Sequence, residues 1–456
     1  MRIARELQPR LILVIGGLVF LLYAYPGLMT VDSVDQLTEA RAGFYTDPHP
    51  PAMAALWHLL DAIIAGPFLM LLLQGISFLA GTYLVLKRAL SPRKAAVAAA
   101  LVLSFPPVAC TMAFIWKDSL MAGMLALGAG LVMSPCRRAR VASLVCFGVA
   151  CAVKYNAFAA TLPLIVLLFE YAPGKRWLVR HALATATWLG VTLGAMGVNA
   201  VLVDQPMHFW YSTLAVFDIA GVINYEDTVS DDQLRRELAG TGLRVEHKIQ
   251  EHVRAIYATR NMLRFVVGKP RLWNLPTTGR VPAPEAQRDA VGTAWWRMVT
   301  EHPGAYLHHR AAFFLSVTGV TYGSFGAVPP RLVTYVGTVE RLGLPQTTFE
   351  VQDTWSACYR WLSVETPLFR QWLYIVAAIL LLPLCRGHRN IAAVLASGLV
   401  VEASLFFLAP ATDYRYSHWM IASACIALVM LVTRITSLLR NPRAAPTFAI
   451  ENADTR

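Results

Sequence analysis

Residues 67–87 read PFLMLLLQGISFLAGTYLVLK, an apolar run closed by Lys87-Arg88. It is long enough as a helix to cross a hydrocarbon layer of about 30 Å. Comparable runs recur at 10–27, 94–113, 117–134, 140–153, 155–170, 177–202, 370–386, 389–410 and 414–436. A chain of 456 residues that is 56% apolar and 15% charged cannot hide that much apolar surface in one soluble core. The sequence therefore predicts an all-α integral membrane protein of about ten transmembrane helices. The runs at 140–153 and 155–170 are short, which suits a broken or tilted pair.

The formal net charge of +12 raises nucleic acid or an acidic substrate as partners, but its distribution is topological. About 19 of the 40 basic residues fall at alternate ends of the runs: Arg2, Arg5, Arg10, Lys87, Arg88, Arg93, Lys94, Arg137, Arg138, Arg140, Lys175, Arg176, Arg180, Arg386, Arg389, Arg434, Arg440, Arg443 and Arg456. That is the positive-inside pattern, with both termini expected in the cytoplasm. Nucleic acid drops out as a partner. Arg2, Arg5 and Arg10 before an apolar stretch look like a signal peptide, but no small-residue cleavage site follows at Tyr23-Ala24-Tyr25-Pro26, so the stretch is expected to remain as the first helix. The seven cysteines offer no CxxC pair and no disulfide framework.

Four regions follow: a seven-span block at 1–202 with an outer loop at 28–51, an outer (periplasmic) and mainly helical segment at 203–369, a three-span block at 370–436, and a cytoplasmic tail at 437–456. The outer segment holds about 16 basic and 16 acidic residues, as expected of a long translocated region exempt from the charge bias. Within it, 231–264 reads as a charged helix and 265–290 as loop. The stretch from Trp295 to Tyr322 is ambiguous. A crossing there would put Arg386 and Arg389 outside, so a helix lying on the outer surface is expected, with Trp295, Trp296 and Tyr306 at headgroup level and His308, His309 and Arg310 facing polar groups. Trp210, Tyr211, Trp295 and Trp296 can stack on sugars or anchor at the interface.

Removing the topological charges and the outer segment leaves ionisable residues that converge on one side of the membrane: Arg41, Lys117, Lys154, Arg370 and Arg415, with Asp32, Asp35, Glu39, Asp47, Asp61, Asp118 and Asp413. Charges near the membrane boundary cost free energy unless paired or solvated, so such a convergence is a candidate site. The richest stretch is the first outer loop, with Asp32, Ser33 and Asp35 at the start of a short helix from Ser33 to Ala42, then Asp47-Pro48-His49-Pro50-Pro51. A carboxylate fixed at Asp32 can act as a general base towards a hydroxyl, or it can cap the helix that follows. His49 can be a functional group or a turn residue, Lys154 a ligand contact or a snorkelling side chain, and Arg415 a ligand contact or an interfacial anchor. The carboxylates leave room for a divalent cation, but no ligand spacing specifies one.

At these residues the chain resembles the GT-C superfamily of membrane glycosyltransferases, in particular bacterial relatives of protein O-mannosyltransferases and lipid A aminoarabinose transferases. Asp32 and His49-Pro50-Pro51 occupy the places of that superfamily's early loop acid and Pro-Pro element. The likeness continues in Trp116-Lys117-Asp118-Ser119, Lys154-Tyr155-Asn156, Glu301-His302-Pro303 and Asp413-Tyr414-Arg415-Tyr416. Many relatives carry Asp-Glu where this chain has Asp32-Ser33. The resemblance implies a GT-C-like fold and transfer of a sugar from a polyprenyl-phosphate donor to a cell-envelope acceptor, with inversion. It further implies Asp32 as base, Lys117 and Arg415 on the donor phosphate with Lys154 as a second contact, and Asp118 orienting Lys117. His49, Asp35, Tyr414 and Tyr416 would support the acceptor side. A transporter or flippase of lipid-linked or anionic solutes is the alternative, since intramembrane charges serve there too.

Overall fold

The computed structural model describes residues 2–170, 176–208, 210–259, 265, 271–275, 282–321, 342–344 and 349–440. The expected tail lies outside these from residue 441 onward, as does Tyr322. Proline and short polar caps set the boundaries of the first elements. Helix α1 (Arg2–Ala24) ends at the Tyr25-Pro26 turn, and α2 (Val31–Ala42) follows, two residues earlier than the sequence suggests. Its start is fixed by Thr30, whose N–H donates to the Ser33 hydroxyl at 3.2 Å, and its end by Gly43 in the left-handed region. Asp32 is thus a first-turn residue, not the cap. Pro51 opens α3 (Pro51–Asp61), because proline at a first helical position gives up an N–H that would go unpaired anyway.

The membrane block continues with α4 (Phe68–Leu86), α5 (Pro92–Ser104), α6 (Pro106–Met112), α7 (Lys117–Val132), α8 (Arg137–Val153), α9 (Ala157–Glu170) and α10 (Trp177–Leu202). Helices α5 and α6 are one run broken by 70° at Phe105, where Pro106-Pro107 disfavours the helical conformation of the preceding residue. After a π-helical turn come α11 (Val216–Tyr225), α12 (Asp231–Glu237), α13 (Ile249–Ile256), α14 (Glu285–Glu301), α15 (Pro303–Val317) and α16 (Glu350–Glu365). The chain closes with α17 (Gln371–Leu381), α18 (Arg389–Leu408) and α19 (His418–Arg440).

All ten expected spans are helical, so the chain is an all-helical, membrane-embedded protein. The count of ten full-length spans is not reached. Among the described residues, four stretches are long and apolar enough to cross alone (α4, α10, α18 and Tyr414–Arg434), and the bent α5–α6 pair would be a fifth. Of the rest, α7 is buried along nearly its whole length by protein, so it has little lipid-facing surface to match to a bilayer. The contact between α4 and α7 is backbone to backbone. A Cβ on Gly81 would collide with the main chain of Ala126 and Leu127, and one on Gly123 would sit 2.7 Å from the carbonyl oxygen of Gln74.

Two apolar cores result. The larger runs through the membrane block and takes in Tyr359, Phe369 and α17 to α19. The smaller is built by α11 to α15 with Leu405, Ala409 and Tyr416, so the lobe these helices form is seated on the turn between α18 and α19. At the opposite end of the bundle Glu170 joins Arg180 and Arg389.

Two expectations for the outer segment change. The charged stretch 231–264, as far as its described residues 231–259, is two short helices, α12 and α13, separated by a turn in which Gly240 and Gly242 take positive φ of 77° and 83°. In α15, His309 and Arg310 do not face headgroups: both are fully buried. Asp218 on α11 forms an ion pair with Arg310 at 2.7 Å, lies 3.3 Å from His309 Nε2 and accepts from Trp295 Nε1 at 2.8 Å. A paired arginine can stay inside a core where a bare one cannot. Arg310 also donates to the Ala409 carbonyl at 3.3 Å, which braces the turn after α18.

Candidate active site

The first outer loop is positioned by main-chain pairing with the second. Gly27 has a φ of 119°, a conformation that glycine adopts without strain, and a Cβ there would lie 2.9 Å from Ile115 and Pro67. Beyond it, Leu28 N–H donates to the Ala113 carbonyl and Ile115 N–H to the Leu28 carbonyl, each at 2.9 Å. The Ser33 hydroxyl donates to the Ile115 carbonyl at 2.8 Å, and Trp116 Nε1 donates to Thr30 Oγ1 at 2.8 Å. Gln74 on α4 holds the carbonyls of Met112 and Phe114 from beneath. Asp32 and the pair Lys117-Asp118 therefore stand side by side on a fixed frame.

Onto that frame the α18–α19 turn delivers Arg415. Its guanidinium reaches Asp32 Oδ2 at 2.6 Å, Asp413 Oδ2 at 2.9 Å and Asp118 Oδ2 at 3.9 Å, and stacks over Trp116 at 4.8 Å from the ring centre. Asp118, fully buried, takes Lys154 at 2.6 Å, and Lys154 Nζ lies 4.5 Å over the Tyr416 ring. Lys117 Nζ lies 2.7 Å from His49 Nδ1. Four separate segments thus contribute three carboxylates and three cations to one cluster.

The electrostatics divide these groups. Burial would raise the Asp32 carboxyl, but the charges of Arg415 and Lys117 outweigh it and hold it well below the usual carboxylate range. Burial and the neighbouring Lys117 push His49 down to about 3, so its imidazole is neutral and accepts from the lysine. Arg415 and Lys154 are already matched to carboxylates. Among the described residues, Lys117 is the cation of the cluster whose partner carries no charge.

Several pairings expected from the sequence change with the geometry. Asp118 is bonded to Lys154 and not to Lys117. Asp35 is exposed on α2 and, among the described residues, forms no ion pair in the cluster. Tyr414 is buried against Phe369 with a ring separation of 5.7 Å, and it belongs to the core, while Tyr416 does line the cluster. Trp116 stands in the sequence only as the first residue of a motif, and its role as a platform for Arg415 depends on folding. Asp413, one of the outer charges, becomes the second carboxylate on Arg415. No group of three or more His, Cys, Asp or Glu side chains among the described residues is arranged to hold a metal ion, since the carboxylates converge on a guanidinium.

Beside the cluster opens a cavity of about 440 Å³. Lys117, Lys154 and Tyr416 form its polar end; Phe158, Leu214, Leu405, Leu408 and Pro410 give it an apolar wall. Asp32 and Arg415 do not line it. They adjoin it through Tyr416, whose ring centre is 5.7 Å from the Arg415 guanidinium carbon. Asp47 fixes the far rim, its carboxylate accepting from the Met207 and His208 N–H groups at 2.5 and 3.1 Å. Cations at the mouth of an apolar pocket are a receptor for an anionic headgroup with a hydrocarbon tail.

No family model matches the chain, and no curated protein matches it. Among solved structures, it is similar to ArnT from Cupriavidus metallidurans in the apo state, with a TM-score of 0.34 and 14% identity over 94% of this chain and 78% of that one. At this TM-score the likeness carries no argument.

Proposed function

We propose that the protein is a GT-C-type glycosyltransferase that moves a sugar from a polyprenyl-phosphate donor to a hydroxyl of a cell-envelope acceptor at the outer face of the inner membrane. The observation that carries this reading is the Asp32–Arg415–Lys117 cluster beside a cavity with an apolar wall. A polyprenyl-phosphate sugar needs a hydrocarbon groove, cations for a phosphate leaving group and a base for the acceptor, and these occur together only here among the described residues.

In this reading the donor's first isoprene units lie along Leu405, Leu408 and Phe158, and its phosphate meets Lys117. A phosphate there also draws on Arg415, whose planar fork suits an anion with several oxygens. Arg415 then shares its charge between Asp32 and the phosphate, and the Asp32 carboxylate becomes a better base as the donor binds. The acceptor oxygen attacks the anomeric carbon from the face opposite the phosphate. Its proton passes to Asp32, the anomeric carbon–oxygen bond breaks, and the electron pair leaves on polyprenyl phosphate, stabilised by Lys117 and Arg415. Direct displacement inverts the anomeric configuration. Lys154 and Asp118 neutralise one another and set the position of Tyr416.

The test is transfer of radiolabelled sugar from polyprenyl-phosphate donors to extracted envelope acceptors, using membranes with the wild-type protein or Asp32→Asn at matched expression. Label transferred by the wild type alone supports both the reaction and the base. Equal transfer by the two removes Asp32 from that role, and absence of transfer by the wild type across the donor panel counts against the enzyme.

A further inference from the structure

A second cavity, about 740 Å³, opens on the outer lobe. One wall is a stripe along α14: Glu285, Arg288, Asp289, Gly292, Thr293 and Trp296 recur at the three-to-four spacing that puts side chains on one helical face. The facing wall is His208, Trp210 and Tyr211. The stripe is unusual for a helix that packs on a lobe, because it is polar and aromatic with no aliphatic residue in it. Its rings are also open to solvent, Trp210 being 50% exposed and Trp296 63%.

The floor is made by Gly292. A Cβ there would lie 3.8 Å from the Trp210 ring, so the absent side chain lets the indole edge lie close against the helix. Trp210 is held edge-on to Trp295 at 6.2 Å between ring centres, and Trp295 is anchored through its indole N–H to the buried Asp218. Tyr211 is fixed by accepting from the Ala283 N–H at 3.2 Å. The aromatic wall is therefore rigid. The charged groups around it are uncommitted: no ion pair among the described residues joins Glu285, Arg288 or Asp289, and Arg288 Nε is buried without a hydrogen-bond partner.

This cavity adjoins the first. His208 and Trp210 line both. His208 takes a φ of 52°, uncommon for a residue with a side chain, and its N–H is held by Asp47 two positions before His49. The first outer loop thus pins the partition between the two cavities.

We propose that the α14 cavity binds a saccharide segment, the hydroxyl-rich part of the acceptor, stacked between Trp210 and Trp296 with its hydroxyls on Glu285, Arg288, Asp289 and Thr293. Flat apolar faces flanked by both donors and acceptors of both charges match sugar rings, which present C–H faces and a rim of hydroxyls. An apolar or purely anionic occupant would leave half of those groups unmatched. That the bound saccharide is an acceptor rests on the glycosyltransferase reading; the binding itself does not.

The test uses the full chain in lipid nanodiscs, free of maltoside detergent, and the oligosaccharide released from envelope glycolipid by mild acid as probe, read by saturation-transfer NMR. Wild-type protein is expected to transfer saturation to the sugar ring protons. Trp296→Ala and Asp289→Asn, both at exposed positions, should each weaken binding about two- to tenfold, the loss of one aromatic face or one charged hydrogen bond. Wild-type binding left unchanged in both variants, or no binding by the wild type, overturns the proposal. The same variants assayed for sugar transfer should raise the acceptor KM and leave the donor KM unchanged. Oligosaccharide binding that depends on Trp296, found together with wild-type protein inactive on every polyprenyl-phosphate donor, would keep this site and reject the enzymatic reading.

Discussion

The carboxylate of Asp32 and the guanidinium of Arg415, 383 positions apart in the chain, meet at 2.6 Å. One stands on the first turn of α2 and the other on the turn before α19. Their contact depends on the seating of both ends of the chain against Trp116. The pair also sets a condition on chemistry: an arginine-bound carboxylate is a weak base, so a base at Asp32 has to be released by whatever competes for Arg415.

Asp32→Asn keeps the size of the side chain and a hydrogen bond to Arg415 while removing the base. Sugar transfer should fall about 10²- to 10⁴-fold, the usual contribution of a general base. Donor binding, measured as protection of the protein from thermal unfolding by polyprenyl phosphate, should be kept or improved because Arg415 is freer. Transfer within threefold of wild type would exclude the role.

Arg415→Lys preserves the charge but not the fork. A single ammonium cannot hold Asp32 and Asp413 together and also stack on Trp116, so about 1.5–3 kcal/mol of charged hydrogen bonding is lost. The expected result is a ten- to hundredfold drop in kcat/KM, by the same arithmetic. A variant with wild-type kinetics would show that the planar guanidinium is dispensable.

Lys154 and Asp118 form a buried ion pair, and removing one partner strands the other. Asp118→Asn or Lys154→Met alone should lower stability by about 3–5 kcal/mol, whereas the double variant should recover much of the loss. Thermal unfolding in detergent, followed for all four proteins, gives the coupling. Additive single effects would mean that the two side chains do not depend on one another.

His49 is buried neutral, with its ionisation pushed down to about 3 from an unfolded value of about 6.5. Between those values the unfolded chain binds a proton that the folded chain does not, so stability falls as pH drops from about 6.5 towards 3 and is unaffected by this group above 6.5. His49→Gln cannot titrate, and its stability should decline less steeply over that window. Parallel curves for the two proteins would show that His49 ionises equally in both states.

Gly81→Ala adds one methyl group where α4 and α7 touch through their backbones. Overpacking of this kind costs about 1–3 kcal/mol even where side chains can yield, and here the obstacle is main chain. The yield of folded protein from membranes should collapse, while Gly190→Ala, at a glycine with open space around it, should be tolerated.

The helical membrane architecture was legible in the sequence by itself, because the requirement to satisfy every backbone group in hydrocarbon turns an apolar run into a helix wherever it occurs. The position of α3 was equally local, fixed by Pro50-Pro51, whereas the third run, expected as a single span at 94–113, is broken at Pro106-Pro107. Of the twelve ionisable residues expected to converge at one face, Asp32, Lys117, Asp118, Lys154, Asp413 and Arg415 come together, while Arg41 pairs with Asp61 instead. What the tertiary structure decided was who pairs with whom. Asp118 is next to Lys117 in the chain, yet adjacent residues on a helix point about 100° apart, and so its partner is Lys154, brought across from the α8–α9 turn. His309 and Arg310 read as side chains facing polar groups at the membrane surface until α11 supplies Asp218 as their partner inside a core. Trp116 reads only as the first residue of a motif until the chain's far end lays Arg415 over its ring. Each of these pairings joins residues that local sequence cannot relate, because their free energy is gained only when two distant segments exclude water together.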